Sequence, residues 1–349
     1  MKFLKRFFGN EKSSKVKKIT EIQPTPFIIP SIKPNPPRES FHISPLYVIL
    51  PYFNYCNFYR RKQLFLEFVE RYSSTPNIKI VIVEGTPKGT HFQLPEFNDK
   101  VYLHIKIELT DRVWIKENMI NIAIKNLPAD WYYVAWVDAD ITFLNDHWAK
   151  NTIDVLKTHD VVQMFHSAVN MGPDGETLKV EQSFMYMYVK SGEPYHKTSK
   201  YGVWHPGFAW ACTRHAYHQM DSLIDFSILG SGDRHMALSF IGKCDLSYPG
   251  NIHESYKKKV AAFQHKCKGF KVNYIQGTIL HHFHGSLVNR KYVDRWNILI
   301  KNKYNIEEDI YYTEHGMIKL TEKGKRMQPE IDTYFLERKE DDKVLVITK

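Results

Sequence analysis

The run Trp131-Tyr132-Tyr133-Val134-Ala135-Trp136-Val137 carries no charge and then stops at two carboxylates, Asp138 and Asp140. An unbroken series of aromatic, β-branched and small apolar residues, with no polar alternation, describes a strand covered on both faces. Such strands are inner strands of sheets flanked by helices. Residues 46–50 and 78–83 repeat the pattern, and residues 101–107 give a third strand ahead of the one just described. Between them, residues 58–72 place Leu64, Phe65, Phe68 and Val69 at helical spacing. A second helix carries Val113, Met119, Ile120, Ala123, Ile124 and Leu127, with Thr110 or Asp111 as its cap and Pro128 as its stop. The order strand, helix, strand, strand, helix, strand predicts an α/β, Rossmann-like sheet, mixed but mostly parallel, with helices on both faces.

Beyond Asp140 the pattern loosens. Residues 161–165, 181–189 and 208–212 read as strands, residues 230–238 as a glycine turn entering a helix, and residues 278–280 as a short apolar strand. Tyr292, Trp296, Leu299 and Ile300 suggest a closing helix. The folded domain is expected over residues 41–310. Residues 311–349 are of mixed charge and read as a C-terminal extension.

The net charge of +10 suggests an anionic partner until it is located. Residues 1–40 hold nine Lys/Arg against three acids, or +6, so the remaining 309 residues carry only +4. A basic-tailed nucleic-acid binder therefore loses most of its support, and no nucleic-acid partner is expected. Phe3, Leu4, Phe7 and Phe8 would line one side of a short basic helix able to touch an anionic membrane as a peripheral contact; a solvated tail is the plainer reading. Six prolines between Pro24 and Pro37 follow as an extended linker. Cys56, Cys212, Cys244 and Cys267 form no ligand spacing, no Asn-x-Ser/Thr sequon occurs, and no apolar run spans a bilayer, so a cytoplasmic, unsecreted protein is expected.

Three features carry chemistry. Asp138 and Asp140 leave an extended backbone on the same side, and their mutual repulsion calls for a counter-charge such as Mg²⁺ or Mn²⁺. By itself Asp-x-Asp is as ordinary as a solvated turn; its place at the carboxyl end of a buried strand is what favours a site. His282 and His284 would share one face of an extended segment and could grip one ion, with Mn²⁺ suited better than Mg²⁺. Asp233, after two glycines, should lie in the first turn of a helix, either as an ordinary cap or as a base for an incoming hydroxyl.

The ordered set of VDAD, the Trp- and Gly-rich middle, GSGD and HHFHGS resembles the GT-A nucleotide-sugar glycosyltransferases, especially the inverting β-1,4-galactosyltransferase-like group. PYFNYCNFYRR, VWIKENMINIAIKNLP and HHFHGSLVNRKYVDRW are similar to predicted glycosyltransferases of large DNA viruses and phages. The resemblance implies a single GT-A domain that moves a sugar from a UDP-sugar to a hydroxyl of a glycan, glycoprotein or other acceptor, using Mn²⁺ or Mg²⁺. It implies Asp140, His282 and His284 as metal ligands, and Asn54, Glu84, Lys116, Asn121 and Asp138 on the donor side. Asp233 would be the catalytic base, and Trp204, His205, Gly207 and Trp210 would border the acceptor. The chain departs from that group in having Phe53 and Tyr55 where arginines follow the first strand, and Arg234 where a second acid follows Asp233. Two other readings stay open: a metal-stabilised carbohydrate-binding or structural module without turnover, and a retaining transferase.

Overall fold

The computed structural model describes residues 44–192 and 204–342. The basic tail and the linker over residues 1–40 lie outside the described residues. In chain order the first half contains β1 (Leu46–Phe53), α1 (Tyr59–Tyr72), β2 (Ile78–Pro87), β3 (Leu103–Leu109), α2 (Lys116–Lys125), β4 (Tyr133–Val137), β5 (Ile141–Phe143) and α3 (Trp148–Leu156). There follow β6 (Val161–Gln163), β7 (Ser167–Met171), β8 (Thr177–Ser183), α4 (Phe184–Ser191), β9 (Trp204–His205), β10 (Ala209–Thr213), α5 (Arg214–Met220), α6 (Gly232–Phe240) and α7 (Glu254–Lys266). The chain closes with β11 (Val272–Tyr274), β12 (Thr278–His281), α8 (Arg295–Lys301), α9 (Ile306–Asp309), β13 (Ile310–Tyr312), β14 (Ile318–Leu320) and α10 (Gln328–Glu337).

Seven strands form the central sheet in the order β11-β6-β10-β4-β1-β2-β3, and only β10 runs antiparallel to its neighbours. The strands are apolar on both faces because both faces are covered. On β1, Tyr47, Ile49 and Phe53 join the apolar layer that holds Met119, Ile120 and Ala123 of α2. Leu46, Val48, Leu50 and Tyr52 face the other way, into Phe65 and Phe68 of α1 and Trp148 of α3. Strand geometry with a period of two thus sorts one continuous sequence into two cores. The expected α/β class is what the structure shows.

Two expectations are corrected. Residues 181–189 do not form one strand. Ser183 ends β8, and its hydroxyl accepts from the Tyr186 amide at 3.1 Å, capping α4, which then stops at Gly192 in the left-handed region. Neither Thr110 nor Asp111 caps α2, which begins only at Lys116; Asp111 Oδ2 instead accepts from the Leu320 amide.

The stretch read as a C-terminal extension is built into the main core. Met317, Ile318, Leu320, Met327, Ile331, Tyr334 and Phe335 pack in the same apolar layer as α2.

A second sheet, β5-β12-β7-β8-β9, positions the site. Its strand β12 lies antiparallel to β5 and parallel to β7, so His281 stands opposite Ile141 on one side and Asn170 on the other. The amide of His282 then donates to the carbonyl of Asp140 at 2.8 Å. That register is what joins the Asp-x-Asp segment to the histidine segment far along the chain.

Candidate active site and metal centre

A cavity of about 510 Å³ opens at the carboxyl ends of β1 and β4, and its lining includes Lys116, Asp138, Asp140, Asp233, His281 and His284. Open α/β sheets bind ligands at this edge. Asp140, His281 and His284 bring one ligand atom each to within 4.8 Å of one another. His282 is not among them. The chain leaves β12 at His281 and turns at Gly285, with φ of 83°, so the alternation that would have paired His282 with His284 is lost. The Nε2 of His282 lies instead 2.8 Å from Thr142 Oγ1.

The donor set suits a divalent cation. Asn170 donates its amide nitrogen to Glu181 at 2.8 Å, so its oxygen faces Nδ1 of His281, 2.7 Å away, and that nitrogen must donate. Nε2 of His281 then carries the lone pair. It is buried and has no hydrogen-bond partner among the described residues, and the same is true of Asp140 Oδ1. Two buried acceptors left without partners on residues of one cluster are costly unless a cation satisfies them. Burial also holds His281 well below the ordinary histidine range, in the neutral form that binds metals. Burial disfavours the charge on Asp140, but His284 and the Arg290 guanidinium outweigh it and hold the carboxyl well below its usual range. His284 Nε2 touches Asp140 Oδ2 and an Arg290 guanidinium nitrogen, each at 2.7 Å, so Arg290 would have to yield to a bound cation.

The second focus is an ion-paired triad. Lys116 Nζ lies 2.6 Å from Asp138 Oδ1 and 3.0 Å from Asp233 Oδ2. Burial works against the ammonium, but the two carboxylates outweigh it and hold Lys116 well above the ordinary lysine range. The counter-charge expected from a metal at Asp138 is therefore supplied by a lysine. Asp233 occupies the first turn of α6, as its glycines implied, and its Oδ1 is buried without a hydrogen-bond partner among the described residues. The turn is strained: Ser231 has φ of 83°, a conformation non-glycine residues seldom adopt, and is pinned by Arg295 Nη2 on its hydroxyl at 2.7 Å. At Gly207 a Cβ would come within 3.0 Å of Asp233 Oδ2.

Trp204, His205 and Gly207 also line the cavity. His205 stacks on Phe208 with ring centroids 3.7 Å apart, and Phe208 itself has φ of 74°. Four expected residues lie elsewhere. Trp210 is in the core of β10, donating to the carbonyl of Pro206. Asn54 braces its own loop through Phe58, and Asn121 ties α2 to Leu223 and Asp225. Glu84 is fully buried, accepting from the amides of Gln93 and Leu94 and lying 3.0 Å from His104. Of the cavity's lining residues, sequence reasoning missed His281, Asn170, Glu117, Arg290, Arg295 and Arg338. Only His281 had a signal, being the third histidine of HHFH.

The sequence matches no protein-family model and no curated protein. Among solved structures the chain overlays on the catalytic domain of Drosophila β1,4-galactosyltransferase 7 in complex with xylobiose, with a TM-score of 0.40, 12% identity, and coverage of 83% of this chain and 99% of that one. It overlays on S. aureus TarS at a TM-score of 0.40 and 10% identity, covering 69% of this chain and 37% of TarS. The mannosyltransferase PcManGT from Pyrobaculum calidifontis, in complex with GDP-Man and Mn²⁺, overlays at 0.38 and 13%, covering 84% and 71%. Likeness this distant carries no argument about activity. No described helix is long and apolar enough to cross a membrane.

Proposed function

We propose that this chain is a metal-dependent glycosyltransferase that moves a sugar from a nucleoside diphosphate sugar, with uridine diphosphate the expected carrier, to a hydroxyl acceptor with inversion at the anomeric carbon. The observation that carries the reading is one cavity with two foci: a cation-ready Asp140/His281/His284 cluster and, beside it, the carboxylate of Asp233 with one oxygen tethered and one unpartnered. Asp140, His281 and His284 would hold Mn²⁺ or Mg²⁺. When bound, that ion supplies charge neutralisation for a leaving diphosphate.

The rest falls to the chain's own side chains. Lys116 tethers Oδ2 of Asp233 and so holds its carboxylate in place to accept the proton of the acceptor hydroxyl as that oxygen attacks the anomeric carbon. Arg290 and Arg295, both lining the cavity, add positive charge where the diphosphate departs. The stacked His205 and Phe208 rings offer an aromatic face to the apolar side of a sugar. A panel of nucleotide sugars with Mn²⁺, read by release of nucleoside diphosphate and by the anomeric configuration of the product, tests the proposal. No release from any donor, with a metal that resists chelation, would favour a metal-stabilised binding module instead.

A further inference from the structure

The strap that follows α10 ends against the metal cluster. Glu340, only 2% exposed, receives Arg61 through both Nε and a terminal nitrogen at 2.8 and 2.6 Å, and receives Arg338 Nε at 2.7 Å. Its Oε2 lies 3.4 Å from Nδ1 of His284, the ring nitrogen opposite the one that meets Asp140. The strap is fixed at two further points. Helix α1 has no side-chain cap of its own at Phe58; Asp341 supplies it from the other end of the chain, accepting from the amides of Tyr59 and Arg60 at 2.9 and 2.7 Å. Gly285, directly after His284, lets the strap approach: a Cβ there would sit 2.7 Å from the Lys339 carbonyl and 2.9 Å from Glu340 Cα.

A carboxylate on the far nitrogen of a metal-binding imidazole fixes the ring's tautomer and orientation and raises its basicity. Two arginines hold Glu340 too firmly for it to serve as a ligand, yet aim its outer oxygen at His284. We propose that Glu340 is a positioning residue for the metal centre, so that the C-terminal strap tunes the affinity of the cation site. The inference rests on the metal reading proposed above. The other ring, His281, has the neutral amide of Asn170 in the corresponding place, so the two histidines are supported unequally.

The test is calorimetric titration of Mn²⁺ into the metal-free full-length protein and its variants, with thermal unfolding in EDTA as a check on folding. Glu340→Gln keeps the shape between the arginines and removes the charge facing His284. It should weaken Mn²⁺ binding about 10- to 100-fold. Glu340→Asp should recover part of the loss. In a His284→Ala background Glu340→Gln should weaken binding no further, because the two residues act as one unit. Equal affinity of Glu340→Gln and the unaltered protein, or additive losses in the double variant, would overturn the inference while leaving the metal site standing. Should Glu340→Gln fail to fold without metal, Glu340→Asp carries the comparison, since its shorter side chain withdraws from Nδ1; an affinity equal to the unaltered protein then overturns it. If the unaltered protein takes up no Mn²⁺, the metal reading itself falls, and this inference with it.

Discussion

At the scale of single residues, the site divides labour between carboxylates that differ only in what surrounds them. Asp140 faces two imidazoles and Asp233 faces an ammonium. Asp233→Asn should keep donor binding and lower the transfer rate by about 10²- to 10⁴-fold, the usual worth of general-base help, as measured by kcat against donor Kd. Asp140→Ala should lose both turnover and Mn²⁺ binding, seen in the same titration. Glu117 supplies a pH test. Burial, reinforced by Asp233, pushes its carboxyl from 4.5 up to about 8. The fold therefore favours its neutral form, so its contribution to stability is complete below the unfolded value and is lost as pH rises through the folded one. Glu117→Gln should match the unaltered protein near roughly pH 5 and unfold at a higher temperature than it near roughly pH 9. Asp140, Asp233 and His284 could be singled out because each sits beside a local pattern, an abrupt strand end, a glycine turn or a histidine cluster, whereas Lys116 was named only through the family resemblance. His281 was not singled out, because its role depends on β12 ending at it and the chain then turning, which no local pattern marks.

Whole elements were legible in proportion to how completely they are buried. β1, β2, β4 and α1 appear within a few residues of where apolar runs and helical spacing put them, since nothing competes with packing there. Residues 184–189 were misassigned because Phe, Met and Tyr suit either state, and the Ser183 hydroxyl caps a helix there. Helix α1 presents Leu64, Phe65, Phe68 and Val69 to the sheet. Phe68→Ala, at a side chain 1% exposed, should cost about 3–5 kcal/mol in urea unfolding without changing Mn²⁺ affinity in the protein that stays folded. The cap that Asp341 gives α1 is worth less: Asp341→Ala should cost about 1 kcal/mol in the same measurement.

For the molecule as a whole, a cation that binds only the folded state adds to its stability by mass action. At a free concentration 100 times its Kd, Mn²⁺ should add about 2.7 kcal/mol, and EDTA should remove it, moving the melting temperature reversibly. A melting temperature indifferent to both would contradict the site. The architecture was readable because unbroken apolar runs mark the inner strands, which are buried on both faces. The contribution of residues 310–342 was not, because their apolar positions are scattered among charges and acquire meaning only against α2 and the histidine loop.

Strand β12 has one further consequence. It is four residues long and wedged between partners of opposite direction, and its last residue is His281. A slip of one residue during assembly would turn Leu280 toward the cluster and His281 away from it. Uptake of Mn²⁺ after refolding would thus count the molecules whose strands threaded correctly, a yield that bulk secondary structure would overstate.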